Sequence, residues 1–202
     1  MFTGLVQHMG TLLSRTERPD GARLVVGSDG WSHRPEPGDS IAINGCCLTV
    51  VEADEATMQF DAIPTTLSLT TIGTLPLEHR VNLEHAATPT TLLGGHLVQG
   101  HVEGTGTVTF NGTDPDRGWI LKLEAPEAVS RFMIEKGSIA IDGVSLTIAT
   151  LAGNRVEVAL IPETLDRTTL SELEEGDSVN LESDCLAKMV GKLLERSQNP
   201  GG

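Results

Sequence analysis

Residues 40–49 read Ser40-Ile41-Ala42-Ile43-Asn44-Gly45-Cys46-Cys47-Leu48-Thr49, and residues 138–147 read Ser138-Ile139-Ala140-Ile141-Asp142-Gly143-Val144-Ser145-Leu146-Thr147. Each is a β-branched run, a two-residue Asn-Gly or Asp-Gly step and a second run, the strongest short-range signal for a tight β-hairpin. The same offset of 98 residues relates Ile63-Pro64-Thr65-Thr66-Leu67 to Ile161-Pro162-Glu163-Thr164-Leu165, and Val81-Asn82-Leu83-Glu84 to Val179-Asn180-Leu181-Glu182. Nearer the start, Gly4, Val6, Gly10 and Thr11 match Gly100, Val102, Gly106 and Thr107 at an offset of 96. A self-similarity of this length means two copies of one domain. They are bounded here as 1–96 and 97–186, with the Pro- and Gly-punctuated stretch Thr88–Gly95 as the connection.

Each copy is long enough to bury its own core. Tyr is absent and only 3% of residues are aromatic, so aliphatic cores are expected. Many short β-branched runs separated by turns predict an all-β protein of two tandem antiparallel barrels, because closure removes exposed sheet edges. Short helices are expected to start at Pro64 and Pro162, since Pro suits a first helical turn. The tail, 187–202, is different. Leu186, Val190, Leu193 and Leu194 form one apolar stripe at helical spacing, and Gln198-Asn199-Pro200-Gly201-Gly202 is expected to end that helix. The stripe either packs back on a barrel or meets copies of itself.

A net charge of −14 with no Lys/Arg cluster argues against nucleic-acid binding. No stretch approaches a membrane span, and Met1–His8 has neither the basic region nor the apolar run of a signal peptide. Cys46, Cys47 and Cys185 are odd in number. The neighbouring pair points to opposite faces of a strand, so free thiols and a cytoplasmic location are expected.

Period-two reading of the second hairpin strand puts Cys46, Leu48 and Val50 on one face and Cys47, Thr49 and Val51 on the other. Cys46 aligns with Val144 and reads as core. Cys47 aligns with Ser145, each beside a threonine, so each copy presents a small nucleophilic or hydrogen-bonding group next to a hydroxyl. Gly94-Gly95-His96-Leu97-Val98-Gln99-Gly100-His101 supplies close-approach glycines and two imidazoles. Five residues apart, His96 and His101 would diverge on a regular strand, so no metal is expected. No phosphate-loop lysine follows these glycines. Phe2 reads as an apolar anchor, Lys136 as a strand end, Asp184 as a surface acid, and the repeated Glu84 and Glu182 as structural. The copies are chemically unequal: Thr65 stands where the second copy has Glu163, and Ser68-Leu69 where it has Asp166-Arg167.

Met1-Phe2-Thr3-Gly4, Asn44–Val50, Gly94–His101, Asp142–Thr147 and Ile161–Leu165 together closely resemble the riboflavin synthases of alpha-chain type, in order and at family-like spacing over almost the whole chain. The resemblance implies two six-stranded Greek-key barrels, each binding a pteridine, and a C-terminal helix that builds a homotrimer. It implies a dismutation of two 6,7-dimethyl-8-ribityllumazine molecules to riboflavin and a ribitylaminopyrimidinedione, with no metal or redox cofactor. A lumazine synthase enters as a second candidate partner. Carried over residue by residue, catalysis falls to Cys47, His101, Ser145, His96 and Asp184. Binding falls to Phe2, Gly4, Leu5, Val6 and Ser40, then to Cys47, Leu48 and Thr49, and to Asp61, Ala62, Ile63, Pro64, Thr65 and Thr66. It continues with Gly100, His101, Val102 and Lys136, with Ser145, Leu146 and Thr147, and with Ile161, Pro162, Glu163, Thr164, Leu165 and Asp166. In the family the working site lies between the N-terminal barrel of one subunit and the C-terminal barrel of another. The chain departs from the family at Pro64–Leu69, which lacks the usual acid and base, so weaker binding in the first copy is expected. The rival reading is a non-catalytic lumazine- or flavin-carrying protein of the same family. Such proteins depart at the positions held here by Cys47, His96 and His101.

Overall fold

The computed structural model describes residues 1–198, without the side chains of Glu195, Arg196 and Gln198. The expected helix end over Gln198–Gly202 therefore falls almost wholly outside the described residues. The first copy contributes β1 (His8–Arg18), β2 (Gly21–Gly27), β3 (Ser40–Ile43), β4 (Cys46–Ala53), β5 (Thr57–Ala62) and β6 (Arg80–His85). They close into a barrel in the order β1-β2-β5-β4-β3-β6. The second contributes β7 (Gly104–Asp114), β8 (Gly118–Glu124), β9 (Ser138–Ile141), β10 (Val144–Ala152), β11 (Arg155–Leu160) and β12 (Ser178–Ser183), closed in the equivalent order. Helices α1 (Pro64–Leu69) and α3 (Pro162–Arg167) each start at the expected proline, and α2 (Glu127–Ser130) is a single turn.

The hairpin steps are what the sequence requires. Asn44 and Gly45 have φ of 44° and 75°, and Asp142 and Gly143 have 44° and 79°, so both central residues of each turn take the left-handed conformation that matches strand twist. These two turns also meet. A Cβ on Gly45 would lie 2.7 Å from the Gly143 nitrogen, and one on Gly143 equally close to the Gly45 nitrogen. Glycine is thus needed for backbone angle and for the approach of the two barrels.

The barrels exchange hydrogen bonds across that contact in reciprocal pairs. Asn82 on β6 donates to the Asp142 carbonyl (2.9 Å) and accepts from the Thr169 amide (2.9 Å). Asn180 on β12 donates to the Asn44 carbonyl (2.8 Å) and accepts from the Thr71 amide (2.7 Å). The relation is close to a twofold axis. Further along it Phe2 and Val98, equivalent residues ahead of the two barrels, form a one-pair antiparallel bridge. Both are buried with Ala42 and Ala140 in a small apolar cluster between the barrels.

The second barrel's core is aliphatic, from Val108 to Leu181. The first departs from the expected composition, because Phe60 and Trp31 are buried among its aliphatic residues. The tail helix α4 (Cys185–Gln198) starts two residues before the expected boundary. Asp184 caps it by accepting from the Leu186 amide at 2.9 Å. Glu103 ties its first turn to the second barrel through Lys188 (2.6 Å) and Ser183. Along the rest of its surface, Leu186, Met189, Val190, Leu193 and Leu194 are all more than half exposed.

Candidate active site

In each barrel the fourth and fifth strands are antiparallel neighbours, with Val50 facing Phe60 and Ile148 facing Val158. Cys47–Thr49 therefore leave the first sheet at the same end as Asp61–Thr66. Ser145–Thr147 leave the second at the same end as Ile161–Asp166. Cys46 and Leu48 are buried, Cys47 is half-buried and Thr49 exposed, and Val144, Leu146, Ser145 and Thr147 repeat the pattern. Burial pushes the Cys46 thiol up to about 12, with the neighbouring Cys47 adding to the rise, so Cys46 is an inert core residue. Ser40 is paired with Thr49 across β3 and β4, on the lip of the same end. Ile63 and Ile161, 59% and 62% exposed, offer equivalent apolar surfaces there.

The segments ahead of the barrels are crossed. Gly4, leading into the first barrel, accepts from the Ser145 amide of the second at 2.8 Å. Gly100, leading into the second, accepts from the Cys47 amide of the first at 2.9 Å. Their φ values of 75° and 80° suit glycine. A Cβ on either would lie 2.6 Å from the Cβ of Ser145 or Cys47. Leu5 and Val6 thus accompany the second barrel's strand end, and His101 and Val102 the first's.

His96 goes to the serine. Its Nδ1 lies 2.7 Å from Ser145 Oγ, while its Nε2 is enclosed with no hydrogen-bond partner among the described residues. Burial lowers the pKa of His96, and the nearby charge of Asp184 acts against that shift. The ring is therefore neutral at physiological pH. His101 is held by its backbone amide and leaves its imidazole exposed. The stretch 96–101 is not the regular strand used to separate the two histidines. It makes one bridge at Val98 and then turns at Gly100. Among the described residues no three His, Cys, Asp or Glu side chains gather as a metal ligand set.

The other residues taken from the resemblance fall as follows. Phe2 is 1% exposed, an anchor of the junction. The Asp61 carboxylate is engaged by Arg23 (2.6 Å) and Arg18 (3.3 Å). The Arg23 hydrogen bond holds it below the usual carboxylate range. Glu163 pairs with Arg167 along α3 at 2.5 Å, an exposed pair with no counterpart at Thr65 and Leu69 of α1. Lys136 reaches the Ala149 carbonyl at 2.7 Å from a backbone with φ of 68°. Sequence reasoning missed Thr3 and Gln99, whose amides fix the crossed segments. The 96-residue offset already marked their neighbours. A cavity of about 380 Å³ lies elsewhere, lined by Asn44, Asp142, Thr71, Thr169, His79 and others, and by none of the expected residues.

Residues 3–86 and 99–184 each match the lumazine binding domain. A riboflavin synthase of Mycobacterium tuberculosis is 41% identical over 199 residues, covering 96% of this chain and 98% of the relative. The chain belongs to the riboflavin synthase family. A second member, from Escherichia coli, is 39% identical over 197 residues, covering 97% of this chain and 92% of its own length. Crystal structures of LumP complexed with 6,7-dimethyl-8-(1'-D-ribityl)lumazine and with riboflavin superpose with TM-scores of 0.77 and 0.78. Each is 27% identical. The lumazine complex covers 91% of this chain and 99% of LumP.

Proposed function

We propose that this chain is a riboflavin synthase, converting two molecules of 6,7-dimethyl-8-ribityllumazine into riboflavin and 5-amino-6-ribitylaminopyrimidinedione. One molecule gives a four-carbon unit to the other, and the atoms of the two reactants are redistributed with no net oxidation. The observation that carries the reading is the pair of equivalent strand ends, each closed by a crossed segment, that differ as thiol and hydroxyl. Two like reactants call for two like cavities, and holding them together makes their encounter effectively unimolecular. The acceptor needs a nucleophile at C7, and the donor must lose a proton from its 7-methyl group. We assign the first task to Cys47, assisted by the exposed imidazole of His101. Neutral His96, hydrogen-bonded to Ser145, suits proton handling at the second site, with Asp184 beside it.

We further propose a homotrimer in which α4 supplies the contact and the working site joins the first barrel of one subunit to the second of the next. The exposed apolar face of α4 supports this. The functional units are then 1–96 and 97–186, with 187–202 for assembly. Free cysteines at positions 46, 47 and 185 suit a reducing, cytoplasmic setting. No helix among the described residues is long and apolar enough to cross a membrane. Docking onto a lumazine synthase is a finer proposal, tested by co-sedimentation.

The test is to incubate the purified chain with the lumazine alone and follow riboflavin by absorbance. Conversion is expected. Saturable binding without conversion would instead favour a carrier like LumP. Light scattering of the full chain and of a form ending at residue 186 tests assembly, and an active monomeric truncation would reject the trimer.

A further inference from the structure

Glu84 and Glu182 recur in the two copies and are 4% and 3% exposed. A buried carboxylate needs donors for its lone pairs, and each finds three. Glu182 on β12 accepts from the amides of Gln99 (2.7 Å), Gly100 (2.9 Å) and His101 (2.8 Å). Glu84 on β6 accepts from the Thr3 amide (2.6 Å), the Thr3 hydroxyl (2.7 Å) and the Gly4 amide (3.0 Å). Both carboxylates therefore hold a segment that stands against the other barrel. The glycine in each segment is a one-residue relay. Its N–H goes to the carboxylate of its own barrel, and its carbonyl takes the amide of Cys47 or Ser145 in the opposite one.

The receiving amides are free to be caught in this way. β5 is paired with β4 only from Val50 onward, so at Cys47 the side of β4 away from β3 has no strand partner and the crossed segment fills it. The same holds for Ser145, since β11 joins β10 only from Ile148. A shift of either segment has to move the residue it touches, because the glycine Cα is packed against the Cβ of Cys47 or Ser145 with no space for a methyl group.

We propose that Glu182 and Glu84 are positioning residues that act across the barrel boundary, Glu182 of the second barrel fixing Cys47 and His101 at the first site, and Glu84 of the first barrel fixing Ser145 at the second. This rests on the reading that those strand ends are the reacting sites, but the mechanical coupling does not depend on turnover. Repetition of the two glutamates is then more than scaffolding. Each barrel carries the residue that orders its neighbour's chemistry.

The test compares E182Q with E84Q in the full chain. A glutamine amide presents an NH₂ in place of one acceptor oxygen, so at least one of the three donors is lost. In E182Q the rate of Cys47 alkylation by iodoacetamide and the exchange of the Cys47 amide proton shift by about tenfold, as loss of a charge-assisted bond allows. The Ser145 amide does not shift. In E84Q the pattern reverses. Equal shifts at both residues in both variants, or none, would overturn the proposal. If E182Q does not fold, Gly100→Ala is the second probe: it must disturb the Cys47 amide and leave Ser145 quiet, and an undisturbed Cys47 is again fatal. A crossed pattern in a chain that binds lumazine without converting it would sink the enzymatic reading alone. An uncrossed pattern in an active chain would sink only this inference.

Discussion

His96 Nδ1 and Ser145 Oγ are 2.7 Å apart, joining the connection between the barrels to the exposed strand end of the second. Nδ1 accepts the serine proton or donates to the serine oxygen according to its tautomer, so the hydrogen bond does not by itself fix the charge of the ring. Burial depresses the pKa of His96 below its ordinary 6.5. The folded state then binds this proton less readily than the unfolded chain, so stability falls as pH drops through the range around and below 6.5. His96→Gln should flatten that part of the wild-type stability curve between pH 7 and pH 5. It should also lower kcat more than it raises KM. Chemical denaturation of both proteins across the range is the measurement, and parallel curves would refute the assignment.

Asp142 is the buried partner of a milder residue. It is 3% exposed at the barrel junction, and burial lifts its carboxyl from 3.8 to about 7, opposed only by the Asn180 amide. The folded pKa lies above the unfolded one, so its contribution is most favourable below about pH 4 and is lost as pH rises to about 7. In the first copy Asn44 occupies this place and its Oδ1 accepts from Asn82 at 2.7 Å, as Asp142 Oδ1 accepts from Asn180 at 2.8 Å. Asp142→Asn keeps the acceptor and removes the charge. A gain on the order of 1–4 kcal/mol is expected at pH 8 and almost none at pH 4. Urea unfolding at the two pH values decides, and an equal effect at both would contradict the account.

Much of the architecture is legible in the residues. The Asn-Gly and Asp-Gly steps give the hairpins, period two separates Cys46 from Cys47, and the two prolines mark the helix starts. The single-chain placement of the segments is not. An offset of 96 residues says that Gly4 and Gly100 are alike. It cannot say that each leans on the other barrel, because that is a property of how two closed barrels dock. The pairing of His96 with Ser145 is hidden for the same reason, and a strand period misdescribes a stretch that bends at Gly100. Repetition did identify Glu84 and Glu182 as structural, while leaving their targets unseen.

Lys136 sets stability against the binding role proposed for it. Its φ of 68° occupies the position where the first copy has Gly38 at 99°. Their amides make the same bond, to Ile148 at 2.9 Å and to Val50 at 2.8 Å. A side chain in this conformation costs about 1 kcal/mol relative to glycine. Lys136→Gly is therefore expected to stabilise the chain by about that amount. The same change removes the ammonium proposed to meet ligand, so lumazine affinity should fall. Fluorescence titration beside thermal unfolding tests both halves, and a stabilised variant with undiminished affinity would show that the lysine has no part in binding.

Cys47 is half-buried while Cys46 and Cys185 are 5% exposed, and the Cys46 thiol is held up at about 12. Iodoacetamide should therefore modify Cys47 first, and bound lumazine should protect it. Cys47→Ser makes the two copies alike at this position, since Ser145 already holds the equivalent place. Oxygen replaces a more polarizable and more acidic nucleophile in nearly the same volume, so binding should change little. We expect kcat to drop by about a hundredfold with KM within a fewfold of the parent, the signature of an interaction made chiefly in the transition state. Steady-state turnover under saturating lumazine, with mass spectrometry of the alkylated protein, reads both effects. Full turnover in the serine variant would move the acceptor chemistry away from this thiol and leave His101 or water to supply it.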